Sequence, residues 1–189
     1  LAKEMIEAAK VAGANCVKFQ NFIAGRYISK KAQRAKYQDR MGEKSQHDIV
    51  QEYEINRKQT SQLMNHAHKT DIDFLSTPFE NWSLRTLLDL NVPAIKISSC
   101  NLTNYPFLEE AAKSNIPILL STGMSDLNEV ITAVDIFKKS SSPLIILQCT
   151  SNYPSKVENA NLNVIPMFRK LFEVPIGFSD HTQSSTAAI

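Results

Sequence analysis

The chain has 189 residues, of which 43% are hydrophobic and 21% charged, and its formal net charge is +2. This length suits one globular domain, and the small net charge gives no reason to expect a nucleic-acid surface. No apolar run approaches the roughly 20 residues that a membrane span needs. The three cysteines are scattered without metal-binding spacing, which favours reduced thiols and a cytoplasmic location.

Helix-like and strand-like patterns alternate along the sequence. Helical periodicity predicts helices at residues 2–12, 46–53, 60–69, 83–90, 106–114, 126–139 and 162–172. Short apolar runs predict strands at residues 15–20, 73–77, 94–99, 118–122, 144–150 and 176–179. Ser83 stands at the start of the fourth predicted helix, where its hydroxyl group would serve as the N-cap.

Six strands separated by helices are typical of an α/β fold with parallel strands. The first strand is not followed by the Gly-x-Gly-x-x-Gly pattern of dinucleotide-binding folds. Six βα units match most of a (β/α)8 TIM barrel, and a complete barrel takes about 250 residues. Because the sequence also begins at Leu1 inside a helical pattern, we expect an excerpt of a longer protein that lacks roughly two strands of the barrel.

Lys96 lies in the middle of the strand predicted at residues 94–99, between Ile95 and Ile97. A lysine inside a buried strand is costly unless its charge is paired. Two interpretations follow from this. Either the strand lies at a sheet edge with Lys96 in water, or Lys96 lies in a parallel barrel or sheet near an anion-binding site.

Polar side chains follow or close every predicted strand. They are Lys18, Gln20, Ser76, Thr77, Lys96, Ser98, Ser99, Ser121, Thr122, Thr150, Ser151, Tyr153, Ser179, Asp180 and His181. In a βα barrel, the carboxyl ends of the strands meet at one mouth, where active sites lie. Two lysines and many hydroxyl groups there favour a phosphate or carboxylate ligand. A single hydroxyl group is as consistent with a helix cap as with a ligand contact.

His181 follows the last predicted strand and is a candidate metal ligand. Imidazole commonly binds divalent metal ions, but one histidine cannot form a protein site alone. We therefore expect a second ligand from outside these residues. The other histidines, His47, His66 and His68, lie in polar or helical segments, which indicates surface positions.

Six runs resemble, in order and spacing along essentially the whole chain, the sialic acid synthase family. They are VKFQ, FLSTPF, VPAIKISSCNLTNYP, PILLSTGM, LQCTSNYP and PIGFSDHT. The resemblance implies a (β/α)8 TIM barrel, of which this chain covers about the second to the seventh strand. It further implies condensation of phosphoenolpyruvate with N-acetylmannosamine or a related N-acyl amino sugar. The family's catalytic glutamate, its second metal-binding histidine and its antifreeze-like domain would lie outside the chain.

The resemblance also implies a role for each strand-end residue. Those that would hold the phosphate and carboxylate of phosphoenolpyruvate are Lys18, Thr77, Lys96, Ser99, Ser121 and Ser179. Gln20 and Tyr153 would contact the amino sugar, and Ser151, where some members have asparagine, would make a polar contact. His181 would bind Mn²⁺ or Mg²⁺. The full-length protein would be a homodimer.

One departure from the family pattern leaves other functions open. Members usually carry an acidic residue where Asn101 stands, and Cys100 replaces a glycine. An amide cannot act as a base, so a non-catalytic barrel that binds sugar phosphates is one alternative. The other is an aldolase that forms a Schiff base through Lys18 or Lys96. The segment with Tyr37, Gln38, Ser45 and Gln46 somewhat resembles bacterial enzymes of the legionaminic acid type.

Overall fold

The computed structural model describes residues 1–33 and 44–189 of the chain, so the Tyr37 and Gln38 pair lies outside the described residues. The chain divides into two compact units, Leu1–Pro93 and Ala94–Ile189. In both units parallel strands are connected by helices, so the predicted α/β fold class is confirmed. Along the described parts of the chain, no helix is both long and apolar enough to cross a bilayer.

In its described residues, the first unit has two parallel strands with helices before, between and after them. Its elements are α1 (Ala2–Val11), β1 (Cys16–Asn21), α2 (Ala24–Tyr27), α3 (Gln46–Glu52), α4 (Arg57–Lys69), β2 (Asp73–Pro78) and α5 (Asn81–Asp89). Strands β1 and β2 pair so that Lys18 lies beside Leu75, and Gln20 beside Thr77. Since neighbours in register project to the same face, Lys18, Gln20 and Thr77 share one face of this strand pair.

The sequence prediction for the start of α5 is wrong. The helix begins at Asn81, and its N-cap is Glu80, whose carboxylate accepts hydrogen bonds from the Trp82 and Ser83 amides. A carboxylate has two oxygen atoms for the unpaired amides of the first turn, and its charge interacts favourably with the helix dipole. Ser83 therefore lies inside the first turn, where its hydroxyl group donates to Glu80.

The second unit has four strands that pair in chain order, all parallel. Its main elements are β3 (Ile95–Ile97), α6 (Tyr105–Ala112), β4 (Ile118–Ser121), α7 (Leu127–Lys138), β5 (Leu144–Cys149), α8 (Val164–Leu171) and β6 (Ile176–Ser179). Short 3-10 turns at Ser99–Asn101, Val157–Asn159 and Ser185–Ala187 lie in the connections. Strand β3 is thus shorter than the predicted strand, because the chain turns at Ser99.

The two faces of this second set of strands have different chemistry. One face carries fully buried apolar side chains, of which Ile118, Leu120 and Ile146 are examples. The other face carries Lys96, Ser121, Cys149 and Ser179 among partly buried apolar side chains, as the register of the four strands shows. The apolar face forms the core of the unit, which leaves the second face to carry the polar chemistry.

Candidate active site

Lys96 lies in the middle of β3, and only 7% of its surface is exposed. Its ammonium group donates hydrogen bonds to the Ser121 hydroxyl group on β4 and to the Ile97 carbonyl oxygen, the latter at 3.3 Å. The interpretation of Lys96 as an edge-strand lysine in water is therefore wrong, because β4 covers it and supplies a hydroxyl acceptor. A buried ammonium group held in place by hydrogen bonds is suited to bind a phosphate or carboxylate beside it.

Ser99, Gly123 and Ser151 meet at the carboxyl ends of β3, β4 and β5. The Gly123 amide donates to the Ser99 hydroxyl oxygen at 3.0 Å. A Cβ atom at Gly123 would lie 2.5 Å from the Ser151 hydroxyl oxygen and 2.9 Å from that of Ser99. The structure thus brings together two of the predicted site serines, although they are far apart in the sequence.

His181 follows β6, and three neighbours fix its ring. Its Nδ1 atom donates to the Thr150 carbonyl oxygen at 2.9 Å, and the Cys149 sulfur lies 3.9 Å from the same nitrogen. The Tyr153 ring packs against the imidazole with 4.1 Å between the ring centroids and an angle of 31° between the ring planes. Because a carbonyl oxygen only accepts hydrogen bonds, Nδ1 carries the proton and Nε2 keeps the lone pair that a metal ion needs.

This arrangement fits one metal–imidazole bond. A backbone carbonyl that accepts from the second ring nitrogen is the usual support for a metal-binding histidine. In residues 1–33 and 44–189, no group of three or more His, Cys, Asp and Glu side chains is placed to hold a metal ion. His181 could therefore supply one ligand of a site whose other ligands come from elsewhere. The carboxylate of Asp180 accepts hydrogen bonds from Thr182 instead.

The predicted site residues of the first unit share one face of β1 and β2. Thr77 is almost completely buried, whereas Lys18 and Gln20 keep exposed surface. Although part of the Lys18 side chain reaches solvent, the surrounding protein atoms desolvate its ammonium group and lower its pKa. Lys18 is thus a cation that loses its proton more easily than an ordinary lysine.

A buried hydrogen-bond network that the sequence did not reveal fixes the end of β1. Asn21 is 3% exposed, and its amide nitrogen donates to the Thr60 hydroxyl oxygen at 2.7 Å. The Ser76 hydroxyl group donates to the Asn21 side-chain oxygen, also at 2.7 Å. The network joins β1, β2 and α4 at the residues next to Gln20 and Thr77, and so holds the strand ends that carry them.

Comparison with known proteins identifies the family. Residues 5–189 match the model of the NeuB family. The chain belongs to the NeuB family. Its family relatives include N,N'-diacetyllegionaminic acid synthase of Legionella pneumophila, 38% identical over 96% of this chain and 53% of the relative. N-acetylneuraminate-9-phosphate synthase of Mus musculus is 34% identical over 96% of this chain and 51% of the relative. The chain spans about half the length of the curated relatives it matches.

Solved structures of NeuB family relatives and of more distant proteins have the same fold. The sialic acid synthetase of Leptospira borgpetersenii, in complex with citrate, superposes with a TM-score of 0.86 and 36% identity, over 98% of this chain and 61% of that chain. A phospho-2-dehydro-3-deoxyheptonate aldolase of Thermotoga maritima superposes with a TM-score of 0.67 over 93% of this chain and 46% of that chain. Because the two sequences are only 16% identical, this likeness shows the fold alone. The predicted excerpt of a TIM barrel is consistent with these neighbours, and the predicted family is confirmed.

The sequence prediction missed two parts of the candidate site of this NeuB family member. These are the Gly123 contact with two serines and the Thr150 carbonyl group that orients His181. Gly123 directly follows the strand predicted at residues 118–122, and a glycine at a strand end often indicates a close approach of neighbouring atoms. The carbonyl group of Thr150 has no sequence signal, since every residue carries one.

Proposed function

We propose that this chain is part of the catalytic barrel of a synthase that condenses phosphoenolpyruvate with an N-acyl amino sugar and releases phosphate. The single observation that carries the proposal is the buried Lys96 ammonium group beside the Ser121 hydroxyl group. A preorganised cation and hydroxyl group stabilise a bound phosphate or carboxylate without having to reorganise. The named relatives, which are synthases of nonulosonic acids, support the same reaction class.

The roles of the remaining side chains follow from their positions and from the family resemblance. In the second unit, Ser99 and Ser179 would join Lys96 and Ser121 in binding phosphoenolpyruvate, and Tyr153 would contact the amino sugar. In the first unit, the roles of Lys18 and Thr77 in binding phosphoenolpyruvate, and of Gln20 in contacting the sugar, stay predictions.

His181 is the residue that would hold a Mn²⁺ or Mg²⁺ ion, through Nε2. When bound, the ion supplies Lewis acidity that polarises the sugar aldehyde. The chain's own contribution is orientation: the Thr150 carbonyl group fixes the proton on Nδ1, and the Tyr153 ring restricts rotation of the imidazole. Such support keeps the ligating nitrogen in place before any ion arrives, which lowers the cost of binding.

The bond changes of the proposed reaction balance with water as the third reactant. C3 of phosphoenolpyruvate forms a bond to the aldehyde carbon, whose oxygen takes up a proton and becomes a hydroxyl group. Water then adds to the cationic C2 atom and loses a proton. The bond between C2 and the bridging oxygen then breaks. Phosphate leaves with that oxygen and takes up the remaining proton of the C2 hydroxyl group, whose oxygen becomes the C2 carbonyl oxygen. Lys96 and the neighbouring hydroxyl groups would stabilise the phosphate throughout these steps.

An aldolase that forms a Schiff base is the second candidate, and the lowered pKa of Lys18 favours it, because a neutral amine is the nucleophile. Borohydride treatment of the full-length protein with a keto acid separates the two functions. The synthase is expected to give no covalent adduct at either Lys18 or Lys96 by mass spectrometry. An adduct at Lys18 that is absent from a Lys18→Arg variant would support the aldolase and contradict the synthase.

The lowered pKa of Lys18 leads us to expect that kcat/KM of the proposed synthase for phosphoenolpyruvate depends on pH. Because burial lowers its pKa, the positive charge is present at low pH and is lost as the pH rises through that lowered value. If the charge attracts phosphoenolpyruvate, kcat/KM for this substrate should fall by about tenfold per pH unit above the pKa of Lys18. Steady-state kinetics of the full-length protein across the alkaline range measure this decline.

The matched variant for the pH prediction is Lys18→Arg. A guanidinium group stays charged over the whole accessible range, so the alkaline decline should disappear even if the overall rate is lower. An identical alkaline decline in wild type and variant would contradict the role of Lys18, and would indicate that another group titrates.

A further inference from the structure

We propose that Gly123 is a positioning residue, which holds the hydroxyl groups of Ser99 and Ser151 on one anionic group of the substrate. The inference rests on the proposed function and adds to it a shared role for two serines. The family resemblance assigned Ser99 to phosphoenolpyruvate but gave Ser151 only an unspecified polar contact. The observation behind the proposal is that the ends of three successive strands meet around a glycine.

The space around Gly123 admits a hydrogen atom and nothing larger. An added Cβ atom would meet the hydroxyl oxygens of Ser151 and Ser99 at 2.5 and 2.9 Å, and the Cys149 carbonyl oxygen at 3.0 Å. The carbonyl group belongs to the end of β5, so it cannot rotate away as a side chain does. Gly123 is not among the described residues with a positive φ angle, so its backbone conformation is one that alanine can adopt. It is the crowding by these neighbours that disfavours alanine at this position.

The hydrogen bond from Gly123 also sets the direction in which Ser99 can donate. The Gly123 amide occupies one lone pair of the Ser99 hydroxyl oxygen, at 3.0 Å. The hydroxyl proton of Ser99 therefore remains available to donate to an acceptor, and an anionic oxygen is the strongest acceptor. The Ser151 hydroxyl oxygen lies beside the same glycine, so a second hydroxyl donor is available next to the first. Such a pair suits a phosphate or carboxylate oxygen of phosphoenolpyruvate.

Replacement of Gly123 by alanine in the full-length protein tests the proposal. The methyl group should displace the Ser151 and Ser99 hydroxyl groups and raise the KM for phosphoenolpyruvate about tenfold, with a smaller change for the amino sugar. In a Ser151→Ala background, which lacks the most crowded atom, adding Gly123→Ala should raise KM by only about threefold or less. Steady-state kinetics with each substrate varied in turn provide both values.

Gly177→Ala is the matched packing control. Its new Cβ atom would also be crowded, 2.8 Å from a Leu147 methyl group, but no site serine lies among its close contacts. We expect this variant to lower the melting temperature at most, with an unchanged KM for phosphoenolpyruvate. An unchanged KM for phosphoenolpyruvate in Gly123→Ala would overturn the inference. So would a double variant whose increase in this KM equals the product of the increases in Gly123→Ala and Ser151→Ala.

A separate measurement distinguishes failure of the inference from failure of the proposed function. If titration calorimetry shows that the wild-type protein does not bind phosphoenolpyruvate, the proposed function fails whatever Gly123 does. If Gly123→Ala does not fold, a double-mutant cycle of Ser99→Ala and Ser151→Ala replaces it. Non-additive losses of phosphoenolpyruvate affinity would support a shared anionic group, and independent losses would overturn it.

Discussion

Replacement of His181 by alanine in the full-length protein is expected to reduce metal-dependent synthase activity by more than about 100-fold. Mutation of a residue that only hydrogen-bonds to a metal ligand already lowers metal affinity or activity by roughly 10–100-fold, and His181 would be a ligand itself. The Thr150 carbonyl group and the Tyr153 ring hold the imidazole with Nε2 as the nitrogen that keeps a lone pair. Removing the ring removes this preoriented ligand. The fold should remain, since His181 is only partly buried and follows the end of β6.

A direct measurement of metal binding is the second test of the role of His181. Titration of the metal-free protein with Mn²⁺ should show a clear loss of affinity in His181→Ala, while the melting temperature without metal should be unchanged. His68→Ala is the matched control, since His68 is exposed on α4 and has no proposed role. Chelator should abolish wild-type activity, and added Mn²⁺ should restore it. Full activity in excess chelator, or an unchanged rate in the variant, would contradict the metal site.

Replacement of Lys96 by alanine is expected to raise the KM for phosphoenolpyruvate by roughly tenfold to a hundredfold, since a hydrogen bond to a charged group contributes about 1.5–3 kcal/mol. Lys96 is buried on β3 and donates to Ser121, so its ammonium group is held in one place. An anion bound there would gain a partner that needs no rearrangement. The KM for the amino sugar should change much less.

Two further variants separate the charge of Lys96 from its packing. Lys96→Met keeps most of the aliphatic side chain but removes the charge, so its effect on the KM for phosphoenolpyruvate should match that of Lys96→Ala. Lys138→Ala removes an exposed lysine that pairs with Asp135 at 2.9 Å on α7, and should leave both substrates unaffected. Equal effects of Lys96→Ala on the two substrates would contradict a specific anion role.

The order of strands and helices could be predicted because each element carries its own local pattern. The runs at 118–122 and 144–150 are apolar and short, and they fold as β4 (Ile118–Ser121) and β5 (Leu144–Cys149). Helix starts were less predictable, since neighbouring polar residues compete for the same amides. Glu80 caps α5 in place of Ser83, and Asn56 with Gln59 forms a capping box that starts α4 at Arg57 instead of Thr60.

The faces of the strands could also be predicted, because side chains alternate along a strand. Alternation puts Lys96 on the face opposite to Ile95 and Ile97, but it does not distinguish a buried lysine from an edge lysine. The burial of Lys96 depends on β4, whose residue Ser121 follows 25 positions later. The packing of Tyr153 against His181 and the crowding of Gly123 by two serines likewise depend on distant residues. Such contacts form only in the folded chain and leave no local pattern.

An isotope experiment tests most directly whether the protein condenses phosphoenolpyruvate with cleavage of its carbon–oxygen bond. The full-length protein would be incubated with an N-acyl amino sugar, Mn²⁺ and phosphoenolpyruvate labelled with ¹⁸O at the bridging oxygen. We predict that phosphate is released only when the sugar is present and that it carries the label, because the C2–O bond breaks. Label retained in the keto-acid product, or phosphate released equally without sugar, would contradict it.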